Sequence, residues 1–210
     1  MLLGPPASGK GTQADMLKSR FDLPSASPGA MLREEKRAGS MLGLEADRLT
    51  REGRLVSDEV INAVVRSWIE RQPGDGFVFD GYPRTLGQAV ALDEMLSSRG
   101  TPLEVALLLD ADVATLRARV ERRMTCRECG NTTSIALLPA RDEKCPRCGG
   151  ELSRRADDTA ETLDVRLREY LDKTAPVAGY YEKRHLLHDV KAARPQDEVF
   201  AEVRRILNAE

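Results

Sequence analysis

Aromatic residues are scarce in this sequence, at 4% of 210 residues, and it contains no long apolar run. The longest such run, residues 105–109, is far too short to cross a bilayer. The net charge is −2, so no general basic field attracts a nucleic acid. Scarce aromatic rings also argue against single-strand binding, in which bases stack on such rings. These absences predict a protein that binds neither membranes nor nucleic acids.

The remaining composition is that of an ordinary globular protein. Hydrophobic residues make up 41% of the chain and charged residues 31%. A chain of this length buries one substantial core and has room for a small inserted module. No signal peptide precedes the first motif, at residue 4, and we therefore expect a cytoplasmic location.

The segment GPPASGKGT, residues 4–12, predicts a phosphate-binding loop. It follows a short apolar run, residues 1–3, and precedes a helical pattern over residues 12–21, which is the strand–loop–helix context of a P-loop. Inward-turned N–H groups and the helix N-terminus attract anions, and Lys10 reaches the terminal phosphates of a nucleotide. Most P-loops carry a Mg²⁺-binding Ser or Thr at the position of Gly11. The candidate loop residues are Gly4, Pro5, Pro6, Ala7, Ser8, Gly9, Lys10, Gly11 and Thr12.

Apolar runs alternate with helical periodicity along the chain, which predicts an α/β fold with a parallel sheet. Strands are predicted at residues 1–3, 77–79, 104–109 and 186–190. Helices are predicted from three apolar stripes: Val60, Val64 and Trp68 after an N-capping Ser57; Leu163, Leu167 and Leu171; and Val199, Val203 and Ile206. The first strand is short for the middle of a sheet, where about five or six residues are usual. We therefore expect the natural chain to begin further upstream.

All four cysteines lie in one segment with the spacing C-x₂-C-x₁₅-C-x₂-C: Cys126, Cys129, Cys145 and Cys148. Two C-x-x-C knuckles at this separation are typical of a tetrahedral site for structural Zn²⁺. Disulfides are disfavoured in the cytoplasm, and thiolate ligands favour zinc over iron. Four protein ligands leave no open position, so the metal is expected to stabilise a small module and to take no part in chemistry.

Together with the P-loop and the cysteines, two further segments resemble the adenylate kinase family of nucleoside-monophosphate kinases, in its zinc-lidded bacterial form. One is GFVFDGYPRT at residues 76–85, followed by Gln88 and Ala89. The other is RRADD at residues 154–158, followed by Arg166. The resemblance covers nearly the whole chain, and the combination of motifs is highly specific.

The resemblance implies a role for each candidate residue. ATP would lie on the P-loop with Arg119 and Arg123, and Mg²⁺ would be held through water by Asp80. AMP would be bound by Arg33, Gly81, Arg84, Gln88, Arg155 and Arg166. Phosphoryl transfer would depend on Lys10, Arg84, Arg123, Arg155 and Arg166, with Asp157 and Asp158 tying the lid. Arginine suits these roles because its planar guanidinium makes bidentate contacts to phosphate.

The implied architecture has three parts around a P-loop-type parallel sheet flanked by helices. Residues 1–26, 57–121 and 158–210 would form the core, residues 27–56 a helical flap that binds the nucleoside monophosphate, and residues 122–157 a zinc-ribbon-like lid. The implied reaction is MgATP + AMP ⇌ 2 ADP in a monomer. No general base is needed, because the acceptor phosphate is largely ionised at pH 7.

Three positions depart from the family pattern. Ala7 replaces a loop glycine, for which we expect a local adjustment of the backbone. Pro28 and Ala30 replace a hydroxyl and a carboxylate near the acceptor site, so the choice of base rests more heavily on Gln88. A kinase acting on CMP, UMP or GMP therefore remains an alternative. A zinc-ribbon nucleic-acid-binding protein is a more remote one.

Overall fold

The computed structural model describes residues 1–37, 39–51, 56–74, 76–138, 144–155 and 158–208. Its strands are β1 (Leu2–Leu3), β2 (Ser25–Ala26), β3 (Val78–Phe79), β4 (Ala106–Asp110), β5 (Arg123–Cys126), β6 (Thr132–Ser134), β7 (Leu152–Ser153) and β8 (Leu187–Lys191). Its helices are α1 (Lys10–Phe21), α2 (Pro28–Arg37), α3 (Met41–Arg51), α4 (Asp58–Glu70), α5 (Leu86–Arg99), α6 (Val113–Arg122), α7 (Ala160–Glu169), α8 (Ala175–Glu182) and α9 (Gln196–Ile206). A 3₁₀ turn (Ile135–Leu137) and a π turn (Tyr170–Thr174) complete the described elements.

The core contains parallel strands in two hydrogen-bonded groups. β4 lies between β1 and β8, and β2 pairs with β3. A single parallel bridge between Leu2 and Asp80 connects the two groups. The α/β fold with a parallel sheet, predicted from the sequence, is confirmed.

Successive strand residues point to opposite faces of the sheet, and each face is covered by helices. Leu3 and Phe79 belong to one apolar cluster, which α4, α5 and α8 complete. Leu2 and Val78 belong to the other, which α1 and α9 complete. Because both faces are covered, β1 and β3 consist of apolar residues and β4 is apolar up to its last residue, rather than alternating apolar and polar ones.

Most of the predicted elements are present, with small shifts at their ends. The first strand is as short as the sequence indicates, and β2 was not predicted. Ser57 does stand at the N-cap of α4, although its side chain makes no capping hydrogen bond. The stripe on the C-terminal helix is confirmed, because Val199 and Val203 are buried in α9.

The stripe proposed for Leu163, Leu167 and Leu171 is wrong at its last member. Leu163 is 3% exposed, whereas the exposed fraction of Leu171 is 63%. α7 gives way to the π turn at Tyr170. The wider turn changes the angular spacing of successive side chains, and so Leu171 leaves the face that Leu163 buries.

Two smaller units adjoin the core. α2 and α3 pack mainly against each other, between β2 and α4 in the chain. β5 forms the centre of a three-stranded antiparallel sheet with β6 and β7, between α6 and α7 in the chain. Among the helices described, none is both long and apolar enough to span a membrane.

Candidate active site and metal centre

The P-loop connects β1 to α1 at the carboxyl end of the parallel sheet. Gly4, at φ 140°, lies so close to the next strand that an added Cβ would stand 2.5 Å from the carbonyl oxygen of Leu109. Only glycine fits this close approach. Gly9 is the N-cap of α1, whose free N–H groups therefore face the loop.

Ala7 adopts the left-handed backbone conformation, with φ 64°. The expected adjustment of the backbone is therefore not found. The loop keeps at this position a conformation that glycine adopts without strain, and the alanine bears its steric cost.

Lys10, the first residue of α1, folds back over the loop. Its Nζ donates hydrogen bonds to the carbonyl oxygens of Gly4 (2.9 Å) and Pro5 (2.7 Å), with Ser8 Oγ at 3.4 Å. Burial lowers the pKa of Lys10 to about 8, although the nearby Asp80 carboxylate raises it. The ammonium group is thus held at the phosphate loop by acceptors that a phosphate oxygen would replace.

Asp80 follows β3 and lies beside the P-loop. Its backbone N–H donates to the carbonyl oxygen of Ala26 at 2.8 Å, which fixes Asp80 at the carboxyl end of the sheet. Burial raises the pKa of Asp80, and the charges of Lys10 and Arg84 oppose that rise. A Cβ on Gly11 would stand 3.5 Å from Asp80 Oδ2, so the glycine gives this carboxylate room against the loop.

Arg84 and Arg123 lie within electrostatic reach of this pair, and Arg166 lies within reach of Arg84. Arg84 and Arg123 both lower the pKa of Lys10, after the larger effect of burial. Desolvation by nearby protein atoms lowers the pKa of Arg84, although the residue is exposed to solvent, while Asp80 raises this pKa and Arg166 on α7 lowers it again. The structure therefore brings the following residues together at the carboxyl end of the sheet: Lys10, Asp80, Arg84, Arg123 and Arg166.

Arg123 also forms an ion pair with Asp158, in which its Nε lies 2.8 Å from Asp158 Oδ2. Arg155 lies on the lid side, where its guanidinium donates to Thr125 Oγ1 (2.9 Å) and Thr132 Oγ1 (3.0 Å).

Arg119 of α6 binds backbone carbonyls rather than facing an open surface. Its guanidinium donates to Ser8 O (2.9 Å) and to Ala192 O (2.5 Å), and so links the P-loop to the chain after β8. Its stacking on the donor adenine stays a prediction. Asp157 and the side chain of Arg33 lie outside the described residues.

Gln88, predicted to read the acceptor base, is 5% exposed, and both ends of its amide are engaged. Its Oε1 accepts from the backbone N–H of Arg84 at 2.7 Å, and its Nε2 donates to Asp58 Oδ1 at 2.7 Å. Thr85 Oγ1 donates to the other Asp58 oxygen at 2.5 Å. The sequence reasoning missed Asp58 and Thr85. An acidic residue after Ser57 is also expected for a helix N-terminus in general, so no local signal separates Asp58 from its neighbour Glu59.

The four cysteines come together in the lid as a candidate metal centre. Their Sγ atoms all lie within 4.8 Å of one another, and none forms a disulfide. The Cys126–Cys148 and Cys129–Cys145 Sγ distances are 3.5 and 3.6 Å. A tetrahedral site with metal–sulfur bonds of roughly 2.3 Å has sulfur–sulfur edges of about 3.8 Å. The four thiols thus fit a single tetrahedral ion.

The surroundings of the sulfurs support the same conclusion. Gly130 N and Gly149 N donate to Cys126 O (3.1 Å) and Cys145 O (2.8 Å), which closes the turn of each knuckle. Burial disfavours ionisation of Cys145, but hydrogen bonds from backbone N–H groups and from the Cys129 and Cys148 thiols together lower its pKa to about 6. Against the effect of a backbone N–H, neighbouring sulfurs raise the pKa of Cys148. The cluster can therefore supply thiolate for a metal ion.

A P-loop after a buried parallel strand, with basic side chains at the sheet edge, defines the chain as a P-loop nucleotide-binding protein. Comparison with known families is more specific: the family model described as adenylate kinase matches residues 2–186. The chain belongs to the adenylate kinase family.

Individual relatives agree with this assignment. The adenylate kinase of Syntrophomonas wolfei is 40% identical over 100% of this chain and 98% of its own length. That of Salinispora tropica is 42% identical over 95% of this chain and 93% of its own. That of the archaeon Archaeoglobus fulgidus is 38% identical over 99% and 96%. The family resemblance described from the sequence is confirmed.

Proposed function

We propose that this protein catalyses the reversible transfer of the terminal phosphoryl group of ATP to AMP, which gives two ADP and balances the adenine nucleotides. The observation that carries the proposal is the convergence of Lys10, Arg84, Arg123 and Arg166 around the P-loop. Together with family membership, this cationic edge supports a phosphotransferase.

The charges account for the chemistry. ATP and AMP together bring roughly six negative charges, and their transferred group passes through a loose transition state that asks for positioning and charge neutralisation. Lys10 exchanges the carbonyls of Gly4 and Pro5 for phosphate oxygens. Arginines from α6–β5, from the Pro83–Arg84 segment and from α7 approach the phosphoryl group from different sides. No residue needs to remove a proton.

The remaining roles follow the family pattern and are part of the proposal. The P-loop, Arg119 and Arg123 bind ATP. Arg33, Gly81, Arg84, Gln88, Arg155 and Arg166 bind AMP, while Asp157 and Asp158 hold the lid.

Two metals have separate tasks in this proposal. Asp80, beside the P-loop, would hold Mg²⁺ through water, and the ion would supply neutralisation of the charge on the ATP phosphates. Zn²⁺ in the four-cysteine site is structural. Among the lid residues that the structure describes, the buried apolar cluster consists of Cys126, Cys145 and Leu152, which is too small to order the lid alone.

We further propose that the protein acts as a monomer in the cytoplasm. The flap, residues 27–56, and the lid, residues 122–157, close over the core, residues 1–26, 57–121 and 158–210. Closure excludes water, to which the phosphoryl group would otherwise be lost.

The experiment that tests this function compares AMP, CMP, UMP and GMP as acceptors with ATP and Mg²⁺. We expect strong preference for AMP. Comparable turnover of another base would support the alternative of relaxed acceptor choice through Pro28 and Ala30. No turnover of any would overturn the proposal.

A further inference from the structure

The side-chain amide of Gln88 is held at both ends by groups of opposite hydrogen-bonding character. Its Nε2 donates to a carboxylate oxygen of Asp58 at 2.7 Å. Its Oε1 accepts from the backbone N–H of Arg84, also at 2.7 Å. The two partners come from separate segments, the first turn of α4 and the loop before α5.

These partners allow only one orientation of the amide. An ionised carboxylate can only accept hydrogen bonds, and a backbone N–H can only donate. A Gln88 amide rotated by a half turn would set its oxygen against Asp58 and its NH₂ against the N–H of Arg84. Both contacts would be repulsive and partly shielded from water, which is costly.

Asp58 is itself fixed by its surroundings. Thr85 Oγ1 donates to Asp58 Oδ2 at 2.5 Å and accepts from the backbone N–H of Gln88 at 3.1 Å. Gly87 lies against the same carboxylate, since an added Cβ would stand 3.4 Å from Asp58 Oδ2. The carboxylate therefore has little freedom to turn away from Gln88.

An amide oriented in this way distinguishes purine bases by the hydrogen-bonding groups at their positions 1 and 6. The contacts with described residues use one N–H and one oxygen lone pair, and an amide has a second of each. Adenine offers an acceptor at N1 and a donor at N6, which match the remaining donor and acceptor. Hypoxanthine offers the reverse, a donor at N1 and an acceptor at O6.

We infer that Asp58 is the positioning residue that sets the acceptor specificity, by locking the Gln88 amide in the orientation that accepts AMP and rejects IMP. This inference rests on the proposed function, because it assumes that Gln88 reads the acceptor base. In this role Asp58 acts through its hydrogen bond to Gln88.

The test measures kcat and KM for AMP and IMP with Asp58→Leu, which has a similar shape but no acceptor oxygen. We expect its KM for AMP to rise about tenfold and its preference for AMP over IMP to fall about tenfold, as for loss of one paired base contact. Its KM for ATP should stay within about twofold of wild type.

Asp58→Asn keeps an acceptor oxygen and should restore the preference for AMP over IMP to within about threefold of wild type. Glu59→Leu, at an exposed acidic neighbour in the same turn, is the matched control and should leave the preference unchanged.

A second measurement needs no variant. In the wild-type protein the Gln88 side-chain amide protons should exchange with solvent far more slowly than those of exposed Gln196, as NMR can record. Equal exchange rates for the Gln88 and Gln196 amides would overturn the role of Asp58. So would an unchanged preference for AMP over IMP in Asp58→Leu, or a fall in kcat that is equal for AMP and IMP. No turnover of AMP by the wild type would instead overturn the proposed function, and the specificity role with it.

Discussion

Arg123 and Asp158 form an ion pair across the two points at which the chain passes between the core and the lid. Arg123 is the first residue of β5, and Asp158 precedes the N-cap of α7. The side chain of Asp158 is 1% exposed and that of Arg123 is 18% exposed. The pair thus connects the outgoing and returning strands of the lid, next to the arginines that surround Lys10.

Removal of one partner of this pair should be strongly destabilising. Asp158→Ala removes the buried carboxylate that accepts from the Arg123 guanidinium, and we expect the free energy of unfolding to fall by about 3 kcal/mol. Urea denaturation measures this loss. The exposed pair Arg127–Glu151 provides the control, since Glu151→Ala should cost less than about 1 kcal/mol. Equal losses in the two variants would show that burial does not govern the contribution of Asp158.

The features predicted correctly from the sequence are those whose residues are close together in the chain. The P-loop, the cysteine knuckles and the apolar strands each occupy a few consecutive residues with their own chemistry. β2 was missed because Ser25–Ala26 is only two residues long and has no alternation to detect. Leu171 was assigned wrongly because a π turn cannot be seen in a pattern that assumes constant helical spacing.

The contacts that complete the candidate site were beyond sequence reasoning for a different reason. Asp58 and Gln88 are 30 positions apart, and their contact depends on how α4 and α5 pack over the sheet. The attachment of Arg119 to Ala192 likewise joins α6 to the chain after β8. Side-chain partners across such distances are set by tertiary packing, which composition and periodicity do not encode.

Lys10→Met should reduce phosphoryl transfer at least about a thousandfold, since the loop loses its positive charge at the transferred group. The folded protein should remain, as judged by circular dichroism and thermal melting. Lys18→Met, at an exposed position on the same helix, should retain full activity. Turnover by Lys10→Met near the wild-type level would contradict the assignment of the P-loop.

The same variant should reveal a pH dependence of stability. Folding lowers the pKa of Lys10 from 10.5 to about 8, chiefly through burial. Below about pH 8 the lysine is protonated in both states, and the folded state bears the full cost of a buried charge. Between about pH 8 and 10.5 the unfolded state binds more protons, so the stability conferred by this group rises with pH. The stability of wild type relative to Lys10→Met should therefore increase across that window. A constant difference from pH 7 to 10.5 would show that the pKa is not lowered.

Cys129→Ser should remove metal from the lid and lower its stability more than it lowers the rate of transfer. The described part of the lid then retains a small buried cluster, and the amides of β5, β6 and β7 should lose their protection from hydrogen exchange. Metal analysis and hydrogen exchange measure the two effects. Leu137→Ser, at an exposed position of the same module, should alter neither. Unchanged metal content and melting in Cys129→Ser would remove the case for a structural metal.

Ala7→Gly should stabilise the protein, in contrast to most substitutions by glycine. Ala7 stands at φ 64°, a conformation that costs an L-residue with a Cβ roughly 1–2 kcal/mol and costs glycine nothing. Glycine also gives the unfolded chain more conformational freedom, which offsets part of this difference. We therefore expect the free energy of unfolding to rise by about 1 kcal/mol. Ala201→Gly, at an exposed position within α9, is the control and should destabilise by about 1 kcal/mol. Urea denaturation of both variants measures the two changes. Opposite signs would demonstrate backbone strain in the phosphate loop itself, whereas a loss of similar size in both would mean that Ala7 relaxes out of the left-handed conformation in solution.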